Sequence, residues 1–124
     1  RFVFQSEVLF ASGSGELAVE GQLQLAQLAK TLLDISQDIP AEVDWIMRVD
    51  GHTDDVPINT TTFRSNWELS TARALSVVRF LTTQGVPPAR LAAAGFGEYQ
   101  PIETSRTARA LAKNRRIELK IDQK

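Results

Sequence analysis

The chain has no cysteine. That removes disulfide staples, thiolate zinc sites and cysteine nucleophiles together, and it fits an oxidising or a reducing compartment equally. Its single histidine, His52, is too little for a zinc site built on imidazoles. Neither charge is in excess: 14 Lys and Arg stand against 15 Asp and Glu, for a net charge of −1. The basic footprint of a nucleic-acid binder is therefore missing, and nothing in the charge calls for an anionic membrane surface. No apolar run comes near the roughly 20 residues needed to cross a bilayer. No signal peptide and no initiator methionine are present; Arg1-Phe2-Val3-Phe4 starts as if already inside folded sequence. The expectation is one domain, residues 1–124, cut from a longer protein.

What is present suits such a domain. With 124 residues, 43% hydrophobic and 23% charged, the chain is long enough to bury a core without staples and too apolar for disorder. Phe2 to Phe10 is β-prone and is broken by the small-residue loop Ala11-Ser12-Gly13-Ser14-Gly15. From Glu16 to about Ser36, Leu25, Leu28, Leu32 and Ile35 recur at helical spacing, and Pro40 stops the run. Val43 to Val49 reads as a strand, with Ile46 breaking the alternation, which suggests cover on both faces near its middle. After a polar loop from Gly51 to Arg64, Ser65 and Glu68 have the spacing of a capping box. The helix they open runs to about Gln84 and ends at Gly85, with Pro87-Pro88 beyond. Leu91 to Phe96 is a short strand, Thr104 to Lys113 a helix frayed at Thr107. Ile117, Leu119 and Ile121 mark a half-exposed last strand. The order is β-α-β-α-β-(α)-β.

The chemistry concentrates in Val49-Asp50-Gly51-His52-Thr53-Asp54-Asp55 and Asn66-Trp67-Glu68-Leu69-Ser70-Thr71-Ala72-Arg73-Ala74. A strand ends in a turn rich in carboxylates, and a helix then carries an Arg two turns in. A guanidinium offers two parallel donors to a carboxylate, which Lys cannot copy. Asn66, Leu69 and Arg73, at offsets of zero, three and seven, share one helix face, and the helix start favours an anion. A carboxylate and a guanidinium on rigid elements can grip a zwitterion at both ends. The same two residues can equally form an internal ion pair, and spacing does not separate the two.

Gly51-His52-Thr53-Asp54, Asn66-x-x-Leu69-Ser70-x-x-Arg73-Ala74, Leu91-x-x-x-Gly95-Phe96-Gly97, Pro101 and Asn114-Arg115-Arg116-Ile117-Glu118 together resemble the OmpA-like peptidoglycan-binding domain. The motifs cover residues 48 to 119, in the family's order. The long loop from Asp55 to Ser65 is more similar to the flagellar stator (MotB) branch than to the outer-membrane porin branch. The resemblance implies an α/β sandwich: a mixed sheet of about four strands with two main helices on one face. It implies non-catalytic binding of the diaminopimelate-containing stem peptide of peptidoglycan. It places the domain in the periplasm, within a protein anchored in the inner or the outer membrane. Carried over, Asp54 faces the ligand's ammonium and Arg73 its carboxylate. Thr53, Asn66 and Leu69 line the site, and Arg115 is a basic residue near it. No cofactor and no metal are implied. The partners implied are peptidoglycan, an inner-membrane partner reached through a segment upstream, and a second copy in a dimer.

A hydrolase using His52 with Asp54 or Asp55 lacks a second histidine, a nucleophile motif and a metal set. A protein–protein or dimerisation module, with the Pro57 loop as its interface, is compatible with wall binding. His52 is expected to be neutral, packed at the strand end and bonded to backbone. Asp50 and Asp55 are expected to cap turn N–H groups. Of Arg115 and Arg116, one facing solvent beside Glu118 and one covering the sheet edge stands level with a joint anion site. Trp45 and Trp67 are expected in the core and at the helix start rather than as sugar platforms, although Trp67 can rim the site.

Overall fold

The computed structural model describes residues 1–123. Strand β1 (Phe2–Gln5) leads into a single helical turn, α1 (Ser6–Leu9), and then the long helix α2 (Val19–Asp38). Strand β2 (Trp45–His52), helix α3 (Asn66–Thr83), a 3-10 turn at Pro88–Arg90 and strand β3 (Leu91–Gly95) follow. Helix α4 (Ala108–Asn114) and strand β4 (Arg116–Gln123) complete the described residues. The sheet order is β1-β4-β2-β3. β4 is antiparallel to both neighbours, whereas β2 and β3 run parallel. A parallel pair needs a long crossover, and α3 supplies it. The result is the mixed four-stranded sheet with two main helices that the sequence led us to expect.

The pleat divides the sheet into two chemistries. Alternate residues of a strand face opposite sides. Met47 and Val49 of β2 and Ile117 and Leu119 of β4 join Leu25, Leu28, Ala29 and Leu32 of α2 and Ala74, Val77 and Leu81 of α3 in one apolar core. The intervening residues pair across the strands as Arg48 with Lys120, Asp50 with Glu118 and His52 with Arg116. α3 lies very close to the sheet. A Cβ on Gly51 would sit 2.2 Å from the Ser70 carbonyl oxygen, and one on Gly95 would sit 2.1 Å from Thr71 Oγ1. Those two glycines let the helix that carries Arg73 rest on β3 and on β2, the strand that leads to Asp54.

Both ends of α3 follow from local chemistry. Ser65 Oγ accepts from the Trp67 N–H at 3.1 Å and donates to the Glu68 carboxylate, which is held below the usual carboxylate range chiefly by that hydroxyl. At the other end Gly85 has φ of +102°, Val86 N–H donates to the Leu81 carbonyl and Gly85 N–H to the Thr82 carbonyl, a Schellman closure.

Several expectations need correction. The run Phe2–Phe10 is not one strand: β1 stops at Gln5, and Phe10 only bridges Leu17. Leu9 and Phe10 are both buried, which consecutive strand residues on a one-sided sheet cannot be. The turn α1 turns both inward and packs its backbone on α2, where a Cβ on Gly21 would lie 2.8 Å from Leu9 Cα. β2 runs three residues further than expected, so Asp50 and Gly51 belong to the strand and not to the turn. The helix expected from Glu16 begins at Val19. α4 starts only at Ala108, because Thr107 is its cap and accepts from Ala110 N–H at 3.1 Å. The first half of β4 is buried on both faces rather than half exposed. Arg116 donates to the carbonyls of Gln100 (2.9 Å) and Asn114 (3.1 Å). Asn114 in turn accepts from the N–H groups of Ile102 and Glu103. The segment after β3 is thereby drawn over the outer face of the sheet.

Candidate functional site

The loop after Phe10, the loop after β2, the start of α3 and the residue before β4 meet around one cleft of about 500 Å³. Thr53, Asp54, Asn66, Leu69, Arg73 and Arg115 all line it. The fold thus brings together, from positions spread over 63 residues of chain, every side chain singled out as a ligand contact.

The turn is built first. Thr53 N–H donates to the Gly97 carbonyl at 2.9 Å, and its hydroxyl donates to the Asp54 carbonyl at 2.7 Å. Asp54 Oδ1 accepts from Val56 N–H at 3.1 Å, an Asx-type turn. Asn66, the first residue of α3, donates its amide to the carbonyls of Val56 (3.1 Å) and Asp54 (3.3 Å). Asn66 is therefore the strut that fixes the carboxylate turn on the helix start. Leu69, one turn on, supplies an apolar wall.

Asp54 and Arg73 do not form an ion pair. Asp54 Oδ2 instead accepts from Arg115 Nη1 at 2.6 Å, and Arg115 Nε donates to Glu7 at 2.6 Å. Burial alone would push Arg115 down. The hydrogen bonds to Asp54 and Glu7 outweigh it and raise it above its ordinary value.

Arg73 is 5% exposed, yet no carboxylate lies within ion-pair distance of it among the described residues. Its Nε donates to the Ser14 carbonyl at 2.9 Å and its Nη2 to the Ala11 carbonyl at 3.3 Å. The guanidinium lies over the Phe10 ring, 5.1 Å from the centroid. Burial pushes Arg73 down; Glu7 and Asp54 act on it only from a distance, and Arg115 opposes them. A desolvated cation held by neutral groups at the wall of an open cleft is placed to receive an anion.

The residues that look catalytic lie elsewhere. His52 is not among the cleft residues. Its ring stacks on Phe96 at 5.0 Å, its Nε2 is 4.0 Å from Glu118, and its buried Nδ1 has no partner, so the expected bond to backbone is absent. Burial and then the nearby Arg116 push it down to about 4, which keeps it neutral at pH 7. Asp50 does not cap a turn: Arg48 grips it with two bonds of 2.8 and 2.9 Å. Asp55 pairs with Arg106. Arg116 neither faces solvent nor shares an anion site with Arg115; it is buried against Glu118 at 2.5 Å. Trp45 is core, as expected. Trp67 stands at the start of α3, as expected, but 50% exposed and stacked on Tyr99.

Sequence reasoning missed Glu7, Phe10, Ser12 and Gly13, which also line the cleft. Reading Phe2–Phe10 as one strand hid Glu7 and Phe10; Ser12 and Gly13 were read only as loop. The Glu7–Arg115 pair spans 108 positions, and nothing local marks it.

A family model described as the OmpA family matches residues 9–115. Motility protein B of Bacillus subtilis is 34% identical over 118 residues, covering 94% of this chain and 42% of that protein. Among solved structures, a putative MotB-like protein from Desulfovibrio vulgaris superposes with a TM-score of 0.86 at 33% identity, covering 98% of this chain and 74% of that one. A cell wall anchor of the T6SS from Pseudomonas aeruginosa gives 0.82 at 34% identity, covering 98% and 78%. The chain spans about half the length of the curated relatives it matches.

Proposed function

The chain belongs to the OmpA family, within its MotB-like branch, and from that membership we propose that it binds peptidoglycan without catalysis and anchors a larger envelope protein to the cell wall. In this reading residues 1–124 are one periplasmic domain of a membrane-anchored protein, joined to its inner-membrane partners through upstream sequence. The cleft takes the diaminopimelate-containing stem peptide. Arg73 receives the carboxylate of the ligand's zwitterionic end. Asp54 receives the ammonium on the lone pairs that Arg115 and Val56 leave open. Thr53, Asn66 and Leu69 shape the walls between them, and Arg115 fixes Asp54.

The observation that carries the reading is Arg73: a buried guanidinium at the cleft wall with two neutral carbonyl partners and, among the described residues, no carboxylate. Protein interiors do not keep an unpaired cation without a compensating use. A relative solved as a cell wall anchor lends support. So does His52, which is neutral, stacked and outside the cleft, leaving Asp54 without a basic partner for hydrolysis. One head-group contact binds modestly because ordering costs offset it; a wall offering many sites raises the effective concentration.

The test is cosedimentation with purified peptidoglycan. Asp54→Ala and Arg73→Ala should each leave the pellet while keeping a cooperative thermal transition. Retention of binding by both variants would overturn the assignment. Muropeptide release on prolonged incubation would overturn the non-catalytic half of it.

A further inference from the structure

We propose that the exposed Trp67–Tyr99 pair is a second subsite of the same surface, a stacking platform for the glycan strand that carries the peptide held in the cleft. The inference rests on the peptidoglycan reading above and extends it to the sugar portion of the polymer.

Trp67 and Tyr99 are 50% and 59% exposed. Large aromatic rings left in water forgo burial that a fold ordinarily exploits, and adjacent exposed ones mark contact surfaces. These two are not loose. Their ring centroids are 5.1 Å apart with planes 27° from parallel. Gly97 supports both from beneath: a Cβ there would lie 3.3 Å from Trp67 Cδ2 and 3.5 Å from Tyr99 Cδ2. Gly97 itself is fixed, its N–H donating to Ser70 Oγ at 3.0 Å and its carbonyl accepting from Thr53 N–H. The Trp67 backbone is held by the Ser65 cap and by the Thr71 hydroxyl, which donates to its carbonyl at 2.8 Å. The pair is therefore set in place before any ligand arrives, which lowers the ordering cost of using it.

The platform borders the cleft at Asn66, which lines it, although Trp67, Glu98 and Tyr99 do not. Trp67 follows Asn66, the strut of the Asp54 turn. The Asn66 amide reaches the Glu98 carboxylate at 3.5 Å, and Glu98 is the neighbour of Tyr99. A pyranose has an apolar C–H face and a hydroxyl rim. An aromatic face beside the half-buried Glu98 carboxylate matches both. Because the stem peptide is bonded to the glycan, a ligand seated in the cleft carries its sugars out along the nearby surface. The platform needs no metal and performs no chemistry.

Calorimetry with three ligands separates this proposal from the one beneath it: the free diaminopimelate stem peptide, the same peptide on its disaccharide, and peptide-free glycan strands. Wild-type protein should bind the disaccharide-peptide about five- to tenfold more tightly than the free peptide, the gain expected of one good aromatic stack. Trp67→Ala and Tyr99→Ala should erase that gain and leave affinity for the free peptide unchanged; Trp67→Phe should keep most of it. Adding the disaccharide-peptide should shift the emission of Trp67 to shorter wavelength. Equal wild-type affinity for the two peptide ligands would overturn the platform and leave the cleft reading intact. Free-peptide binding that fails while glycan strands still bind through Trp67 would overturn the cleft reading and support the platform. Failure of all three ligands would overturn both. Self-association abolished by Trp67→Ala, with no disaccharide gain, would assign the pair to a second copy of the chain and overturn the platform.

Discussion

Two buried guanidinium groups, Arg73 and Arg116, differ in how their charge is answered. Both are almost fully enclosed, at 5% and 3% exposure. On the outer face of the sheet, Arg116 is answered in full: Glu118 at 2.5 Å and two backbone carbonyls. The network continues through Lys120, 3.4 Å from Glu118, to Asp50 and the two-bonded Arg48. Glu118 is lowered despite its burial, because the bond and charge of Arg116 outweigh desolvation. In the cleft, Arg73 has carbonyls and an aromatic face but, among the described residues, no anion. The first arrangement is complete without a ligand and the second is not. Burial of a charge alone therefore does not nominate a site in this molecule; the proposed one rests on burial together with an unanswered charge at an open cleft.

The sharpest way to break the comparison is to remove an anion from the complete network. Glu118→Ala strands the buried Arg116, and breaking a buried pair from one side costs about 3–5 kcal/mol. A loss of that order in urea unfolding, with peptidoglycan binding retained by the surviving folded protein, is the expected outcome. A stability change below about 1 kcal/mol would show that the network is solvated rather than structural.

This contrast also separates what the sequence made legible from what it did not. The element order, the two main helices, the Ser65 and Gly85 helix ends and the cleft residues on α3 were readable, because helical period and capping chemistry act within a few positions. The outer-face network was not. Glu118 and Arg116 look like the solvent side of an alternating strand until the segment after β3, clamped by Asn114, is laid across them. α1 was lost for a related reason: Val8 and the flanking Phe4 and Phe10 are β-prone, and only the need to bury Leu9 and Phe10 on the same side turns the chain. Asp54 and Arg73 were legible as a pair of residues, but their partners were not. Whether they bond to each other is decided by Arg115 and Glu7, which come from opposite ends of the chain.

A smaller effect comes from acid. His52 is pushed down to about 4 from an ordinary 6.5, so between those values the unfolded chain binds a proton that the native state refuses. Stability then falls as pH drops from 6.5 to 4, by ~3 kcal/mol for this group, and is unaffected by it above that range. Glu118, also lowered, adds a further loss at the acid end, since its contribution is present above the unfolded carboxylate value and disappears as pH falls through the folded one. Thermal melts across this range should show the decline, and His52→Asn should flatten its upper part. A proton NMR titration of the single histidine with a midpoint near 6.5 would refute it.

The smallest expected stability effect is the most telling. Methionine approximates the length of an Arg stem without its charge. Arg116→Met removes the ion pair and two carbonyl bonds and leaves Glu118 buried with, among the described residues, only Lys120 at 3.4 Å and Arg1 at 3.6 Å as charged neighbours, so a cost of about 3 kcal/mol is expected. Arg73→Met removes a desolvated cation that has no anion. The lost bonds to Ala11 and Ser14 and the lost contact with Phe10 are offset by the desolvation no longer incurred, and stability should stay within about 1 kcal/mol of wild type. Binding should behave in the opposite sense, kept by Arg116→Met and lost by Arg73→Met. Urea unfolding and peptidoglycan cosedimentation on the same two preparations measure both quantities. If the two variants lose equal stability, Arg73 is a structural group like Arg116, and its missing carboxylate says nothing about a ligand.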